Sequence, residues 1–184
     1  RRGGQFVEKA GIPLACTIHG LSSIPSSHPL HTGMLGMHGN YGPNMKQNEC
    51  DVLIAIGMRF DDRVTGRLAS YARQAKVIHI EIDPSEINKN VPADYPILGD
   101  AKQALEALLP LVEEKSYPEW VAAFAECHYF GYKSLETTPL EVLSGSATTP
   151  NRFYVKFRSR SNFQNRFSQK IFVRKKSPNK IGFF

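Results

Sequence analysis

The plainest pattern in the chain runs from residue 51 to 66. Val52 to Ile56 is a short apolar run without a charge. A strand covered on both faces reads this way, the usual state of a strand inside a parallel sheet. Gly57 ends the run, and Arg59, Asp61, Asp62 and Arg63 follow at once. A second strand is predicted over Lys76–Asp83, where positions 78, 80 and 82 are apolar and 79, 81 and 83 polar. Shorter strands are predicted over 14–18 and 96–98. Between them lie helical signals. One helix ends at Ala10, with Gly11 past its terminus and Pro13 blocking continuation. Others are predicted over 44–50 and 67–74, with a helical turn over 85–90. Asp100 is placed to N-cap a helix from Ala101 to about Glu114, whose buried stripe is Ala104, Leu105, Leu108, Leu109 and Val112. Pro118 opens a last helix with Trp120, Val121 and Phe124 inward.

Strands alternate with helices, and each strand empties into a loop bearing Gly or Asp. This predicts an α/β fold: a Rossmann-like parallel sheet flanked by helices, incomplete at its N-terminus, binding something nucleotide-like. Ligands of such sheets sit beyond the carboxyl ends of the strands. Gly57 would let backbone approach a ligand there, and Arg59 and Arg63 offer planar forks for phosphate. A solvated, self-neutralising loop fits the same residues equally well. Glu81 and Asp83 stand where a ribose-holding carboxylate often sits, and equally fit a polar edge entering the turn at Pro84. Thr32 to Gly39 mixes three glycines with Met34, Leu35, Met37 and His38. That suits a flat aromatic ring against close backbone, and also suits a flexible loop with core methionines. It lacks the phosphate-loop and dinucleotide spacings. The residues show no nucleophile–base pair, paired carboxylates or metal-ligand cluster, so no catalytic or metal residue is assigned.

Composition changes this picture in one respect. The formal charge of +6 is unevenly spread: ten of the 23 Lys and Arg residues follow Glu141, the last of the 17 acids. Seven of the eleven Phe residues fall after position 150. Two compositions meet near Ser144–Pro150, so the expected boundaries are a body over 1–135, a linker over 136–150 and a basic tail over 151–184. The tail is aperiodic and acid-free, and disorder is expected of it. A nucleic-acid-binding arm is the competing reading of its cations and aromatics. Cys16, Cys50 and Cys127 are too widely spaced for a disulfide framework or a metal site, and read as buried inert thiols in a reducing setting. No apolar run reaches the roughly 18 residues of a membrane span. The chain opens on Arg1-Arg2-Gly3-Gly4 without an initiator Met, so a piece of something longer is expected.

Three motifs are more specific: Met34-Leu-Gly-Met-His-Gly39, Gly57-Met-Arg-Phe-Asp-Asp-Arg-Val-Thr-Gly66 and His79-Ile-Glu-Ile-Asp-Pro-Ser-Glu-Ile87. Together they resemble the central domain of the acetolactate synthase (acetohydroxyacid synthase) catalytic subunit, a thiamine-diphosphate enzyme, from residue 1 to about 135. The family condenses two pyruvates, or pyruvate and 2-oxobutyrate, in branched-chain amino-acid biosynthesis. Its central domain carries FAD across the strand ends in a structural role. The resemblance implies that Thr17 and Ile18 contact FAD and that Leu35, Gly36, Met37 and His38 line the flavin side. It implies that Gly57, Met58, Arg59, Phe60, Asp61, Asp62 and Arg63 wrap the ribityl and phosphate region. Glu81 and Ile82 would hold the adenosine side, with Asp100 and Ala101 near that end. Met37, Asp62 and Arg63 also resemble positions lining the family's sulfonylurea-binding channel.

Two departures, Ser22 in place of a glycine and His19 in place of Met or Gln, read as lineage variation. The family's thiamine-activating glutamate and the metal motif holding thiamine diphosphate and Mg²⁺ are not in this chain. The resemblance therefore implies an inactive fragment whose parent is a cytoplasmic homo-oligomer with a regulatory subunit. Its partners would be FAD and the other domains of the parent, with neither a membrane nor nucleic acid expected. A related thiamine-dependent carboligase or oxidase is the alternative within the superfamily, and the Arg59–Arg63 run argues against it.

Overall fold

The structure, a computed structural model, describes residues 2–136 and 181–183. The chain divides into two compact units, one of Arg1–Gly131 with Asn179–Phe184 and one of Tyr132–Pro178. The first unit holds the sheet. Its strands are β1 (Leu14–Cys16), β2 (His31–Met34), β3 (Val52–Ile56), β4 (Lys76–Glu81), β5 (Tyr95–Leu98) and β6 (Ile181–Phe183). They lie in the order β2-β1-β6-β3-β4-β5, and every pairing is parallel. The helices are α1 (Arg2–Ala10), α2 (Tyr41–Lys46), α3 (Asp62–Thr65), α4 (Ala101–Leu108) and α5 (Pro118–Glu136). The expected parallel α/β sheet is therefore present.

β3 shows why its sequence is a continuous apolar run. Leu53 and Ala55 enter one buried cluster with Leu35, Phe60, Tyr71, Trp120 and Phe124. Ile54, between them, enters a second cluster with Phe6, Val7, Leu14 and Leu105. Alternate residues thus feed opposite faces, and both faces are covered. α1 and α4 cover one face, while Trp120 and Phe124 of α5 pack on the other. Two helix ends follow their sequence signals. Gly11 takes φ +64°, and a Cβ there would run into the backbone carbonyl of Lys115. The Asp100 carboxylate accepts from the Gln103 N–H at 3.0 Å, capping α4 as expected.

Several expectations are corrected. The strand over 14–18 stops at Cys16, and Ile18–Gly20 forms a 3-10 turn instead. His31–Met34, read within or next to a loop, is a strand at the sheet edge. A glycine-bearing segment acquires strand pairing there because β1 offers it a ladder, with Ala15 opposite Gly33. The helix over 44–50 begins earlier, at Tyr41. Residues 67–74 form no α-helix; the turns flanking Gly66 are the four-residue α3 and a 3-10 turn at Leu68–Ser70. α4 ends at Leu108 rather than near Glu114, since Pro110 supplies no N–H to continue it. In β4 the alternation does not separate core from solvent: His79 and Glu81 are buried, whereas Ile82 is 69% exposed. β4 ends at Glu81, so Ile82 stands past it; within β4, Val77 enters one buried cluster and Ile78 packs against the other, so both faces are covered.

The tail is corrected at one point. Disorder was expected across 151–184, yet residues 181–183 form a strand inside the sheet. The rest of the tail and most of the 136–150 linker lie outside the described residues.

Candidate functional site

Because all the strands are parallel, their carboxyl ends share one edge of the sheet. Thr17 and Ile18 follow β1, Leu35 to His38 follow β2, and Gly57 to Arg63 follow β3. Glu81 and Ile82 close β4, and Asp100 and Ala101 lead from β5 into α4. Every residue expected at the site is thus brought to this one edge. Backbone bonds carry the ladder into the loops: Leu35 N–H donates to the Cys16 carbonyl at 2.8 Å and Gly57 N–H to that of Ile80 at 2.9 Å. The β2 and β3 loops are joined directly, Met37 N–H donating to the Arg63 carbonyl at 2.7 Å.

Side chains at this edge divide into two sets. Leu35, Met58 and Phe60 turn inward and are core residues. Any ligand beyond the edge would meet only their backbone. Ile18, at 65% exposure, Met37 and Ile82 are exposed apolar side chains at the same edge. His38, Asp62 and Arg63 are exposed as well. Arg59 is 67% exposed and lies 3.8 Å from the Asp61 carboxylate. An ion pair that long and that wet contributes little and leaves the guanidinium fork accessible. Asp61 has other work: it N-caps α3, accepting from the N–H groups of Arg63 at 3.0 Å and Val64 at 3.2 Å. Glu81 accepts from its own neighbours, Ile82 N–H at 2.8 Å and Asp83 N–H at 3.3 Å. Its carboxylate therefore shapes the turn after β4.

Gly57 takes φ +60° with open space where a Cβ would stand. Glycine is needed there for conformation, and its bare backbone faces the edge. Three residues on, Phe60 takes φ +53°, an uncommon state for a bulky side chain. Its ring is held edge-on by Tyr71, at 6.0 Å between centroids, and by His79, at 4.9 Å. His79 donates from Nε2 to the Met58 carbonyl at 2.9 Å, which fixes the tautomer and leaves Nδ1 buried without a partner. Sequence reasoning missed Tyr71 and His79 as supports of this loop. The available signal was a histidine flanked on both sides by isoleucines, Ile78 and Ile80, in the middle of a strand.

Burial lowers the pKa of His79, against smaller opposing effects of the Met58 bond and of Glu81 and Glu86. A lowered folded pKa means that the unfolded chain takes the proton more readily. Stability from neutral His79 is therefore present above about pH 6.5, the ordinary histidine value, and is lost as pH falls below it. Each such proton adds a slope of up to about 1.4 kcal/mol per pH unit. His31 is lowered in the same direction by burial and by His28. Thermal melts between pH 7 and 5 are expected to show a falling Tm, and His79→Gln should flatten that fall. An unchanged slope in the variant would remove His79 from the account.

A cleft of about 460 Å³ lies between the starts of α1 and α4, lined by Arg2, Gln5, Ala101, Lys102 and Leu105 together with Gly3. Of the expected site residues only Ala101 reaches it. Arg2 is already engaged with Glu106 at 3.0 Å and Gln5 at 2.9 Å. The cysteines are free, Cys16 and Cys50 are buried, and burial first of all pushes the Cys50 thiol up to about 12. Among the described residues no group of three His, Cys, Asp or Glu is placed to hold a metal ion. No helix among them is long and apolar enough to cross a membrane.

A parallel sheet with its glycine- and arginine-bearing loops gathered at one edge matches a known domain class. Residues 4–108 fit the family described as "Thiamine pyrophosphate enzyme, central domain", and the chain belongs to that family. Among curated proteins it is similar to the acetolactate synthase isozyme 3 large subunit of Escherichia coli (strain K12), 49% identical over 112 residues, or 61% of this chain and 20% of that protein. It is also similar to the probable acetolactate synthase large subunit of Methanocaldococcus jannaschii, 49% identical over 125 residues, 66% of this chain and 21% of that one. The probable acetolactate synthase 2, chloroplastic, of Oryza sativa subsp. japonica is 45% identical over 112 residues, 61% of this chain and 17% of that one. The chain spans about a fifth of the length of these relatives.

Proposed function

We propose that this chain is the FAD-binding part of an acetolactate synthase catalytic subunit, a cytoplasmic enzyme that condenses two 2-oxo acids. The observation that carries the proposal is the crowded carboxyl edge of the sheet. There the exposed fork of Arg59 stands beside the open backbone of Gly57, among the exposed apolar side chains of Ile18, Met37 and Ile82. A long ligand with a charged diphosphate and two flat rings needs those groups. Thr17, Gly36 and His38 flank the flavin end, and Glu81, Asp100 and Ala101 the adenosine end. Leu35, Met58 and Phe60 serve through backbone alone, with their side chains as the floor. Asp61 and Asp100 shape the loops as helix caps.

FAD acts here as a structural element, while thiamine diphosphate and Mg²⁺, held by other parts of the parent, supply the carbon–carbon chemistry. Met37, Asp62 and Arg63, joined through the Met37–Arg63 backbone bond, form one wall of the channel between domains. The role belongs to residues 1–135, followed by a linker over 136–150 and the tail over 151–184. Other domains of the parent, further copies and a regulatory subunit are the partners.

Titration with the chain is expected to quench FAD fluorescence saturably. The pure chain should form no acetolactate from pyruvate, even with thiamine diphosphate, Mg²⁺ and FAD present. Turnover above a protein-free control would overturn the placing of the chemistry elsewhere. A full-length enzyme carrying this segment that purifies and functions without FAD would overturn the cofactor.

A further inference from the structure

The loop between β2 and α2, residues 35–40, carries Met37 and His38 to the ligand edge. Leu35 and Gly36 within it are buried, so their backbone groups need partners inside the protein. The Leu35 N–H finds the Cys16 carbonyl, at the end of the β1 ladder. Gly36, one residue further, is held by a side chain instead. Asn44 of α2 accepts the Gly36 N–H on Oδ1 at 2.9 Å and donates from Nδ2 to the Gly36 carbonyl at 2.8 Å. A planar amide presents one acceptor and one donor side by side, so Asn44 meets Gly36 as a residue of a neighbouring strand would. The Gly39 N–H shares the same carbonyl at 2.9 Å and closes the turn. Asn40 holds the start of the loop in a similar way. Its Oδ1 accepts the Met34 N–H at 2.7 Å, and its own N–H donates to the Met34 carbonyl at 2.7 Å. Asn40 stands at the N-cap of α2, yet its side chain makes no cap bond to that helix. Both amides are spent on the loop before α2.

We infer that Asn44 is the positioning residue of the flavin-side loop, an inference that rests on the FAD reading of this edge. Asn44 acts through the Gly36 backbone and sets where the Met37 and His38 side chains stand. Its reach extends to the neighbouring loop. Gly36 takes φ +99°, and a Cβ there would come within 3.0 Å of the Arg63 carbonyl oxygen. The next N–H, that of Met37, donates to this same carbonyl at 2.7 Å. A shift of Gly36 therefore moves Met37 and the end of the Arg59–Arg63 run together. The amide is the required group: an aliphatic side chain of similar size offers neither bond, and an ionised aspartate offers no donor to the carbonyl. The amides that follow serve a different segment. Gln47 accepts from the Tyr71 hydroxyl at 3.2 Å, and Asn48 accepts the Ala72 N–H at 2.9 Å.

The test uses the full chain. In wild type, the Gly36 and Met37 amides should exchange about tenfold or more slowly than in a free peptide of residues 31–40. Asn44→Ala should remove most of that protection and weaken FAD binding by about tenfold. Asn48→Ala removes a side-chain bond to backbone of the same kind, away from the loop. It should lower the Tm and leave both Gly36 exchange and FAD affinity as they are. Exchange of Gly36 at the free-peptide rate in wild type overturns the inference, whether or not the Asn44→Ala chain folds. An Asn44→Ala chain that binds FAD as tightly as wild type also overturns it. Equal losses of affinity in Asn44→Ala and Asn48→Ala do the same, because they trace the effect to stability alone. A wild-type chain that binds no FAD overturns the cofactor reading instead. The hold of Asn44 on the loop is then upheld if Asn44→Ala releases Gly36 to exchange and overturned if it does not.

Discussion

Replacing Arg59 by alanine is expected to weaken FAD binding by about ten- to a hundredfold. The side chain stands at the end of the central β3 loop, two-thirds exposed, with only a 3.8 Å ion pair to Asp61. Such a pair holds an exposed arginine weakly, so the fork remains available to a phosphate. Charge-assisted hydrogen bonds to phosphate are each worth roughly 1.5 to 3 kcal/mol, which sets the size of the loss. Lysine at the same position separates charge from geometry, because it keeps the cation and loses the planar fork. Arg59→Lys should recover part of the affinity. If alanine and lysine both leave FAD affinity unchanged in the intact enzyme, Arg59 serves only the shape of its loop. Asp61→Asn then becomes informative, since Asp61 caps α3 as well as facing Arg59.

How far the fold could be read depended on whether a segment's partners lie near it in sequence. Val52–Ile56 was legible to the residue, because a strand buried on both faces needs no solvent-facing position to confuse the pattern. The Asp100 cap and the Gly11 stop were legible because each is a local backbone requirement. His31–Met34 was not legible as a strand. Its glycine weakens the β preference that Thr32 alone supplies, and it is extended because β1 pairs with it. Ile181–Phe183 was harder still, since its partners Leu14 and Val52–Ile54 lie more than 120 residues away. Among site residues, the positions were legible and the side-chain directions were not. No pattern in the sequence separates Met58 and Phe60 from Arg59 between them, yet the first two turn into the core and Arg59 stays exposed.

That inward turn makes Phe60 the anchor of the loop, and Phe60→Ala is expected to cost about 3 to 5 kcal/mol of stability. The ring is 1% exposed and sits edge-on to both Tyr71 and His79. Alanine would leave a cavity beneath the loop and lose both aromatic contacts, worth something beyond area alone. It would also keep a side chain at φ +53° without the packing that holds it there. Leucine fills more of the volume, so Phe60→Leu should cost appreciably less. Urea melts of the three chains measure the series, and a loss under about 1 kcal/mol for alanine would show that the cavity collapses at little cost. The loop's function should fall with its support. Arg59 and Asp61 flank Phe60 directly, and the Met58 carbonyl is held by His79 across the same cluster. FAD affinity should therefore drop in Phe60→Ala, although the side chain itself faces the core. A folded alanine variant that binds FAD as tightly as wild type would separate loop geometry from packing beneath it, and would leave Gly57 and Arg59 to position themselves.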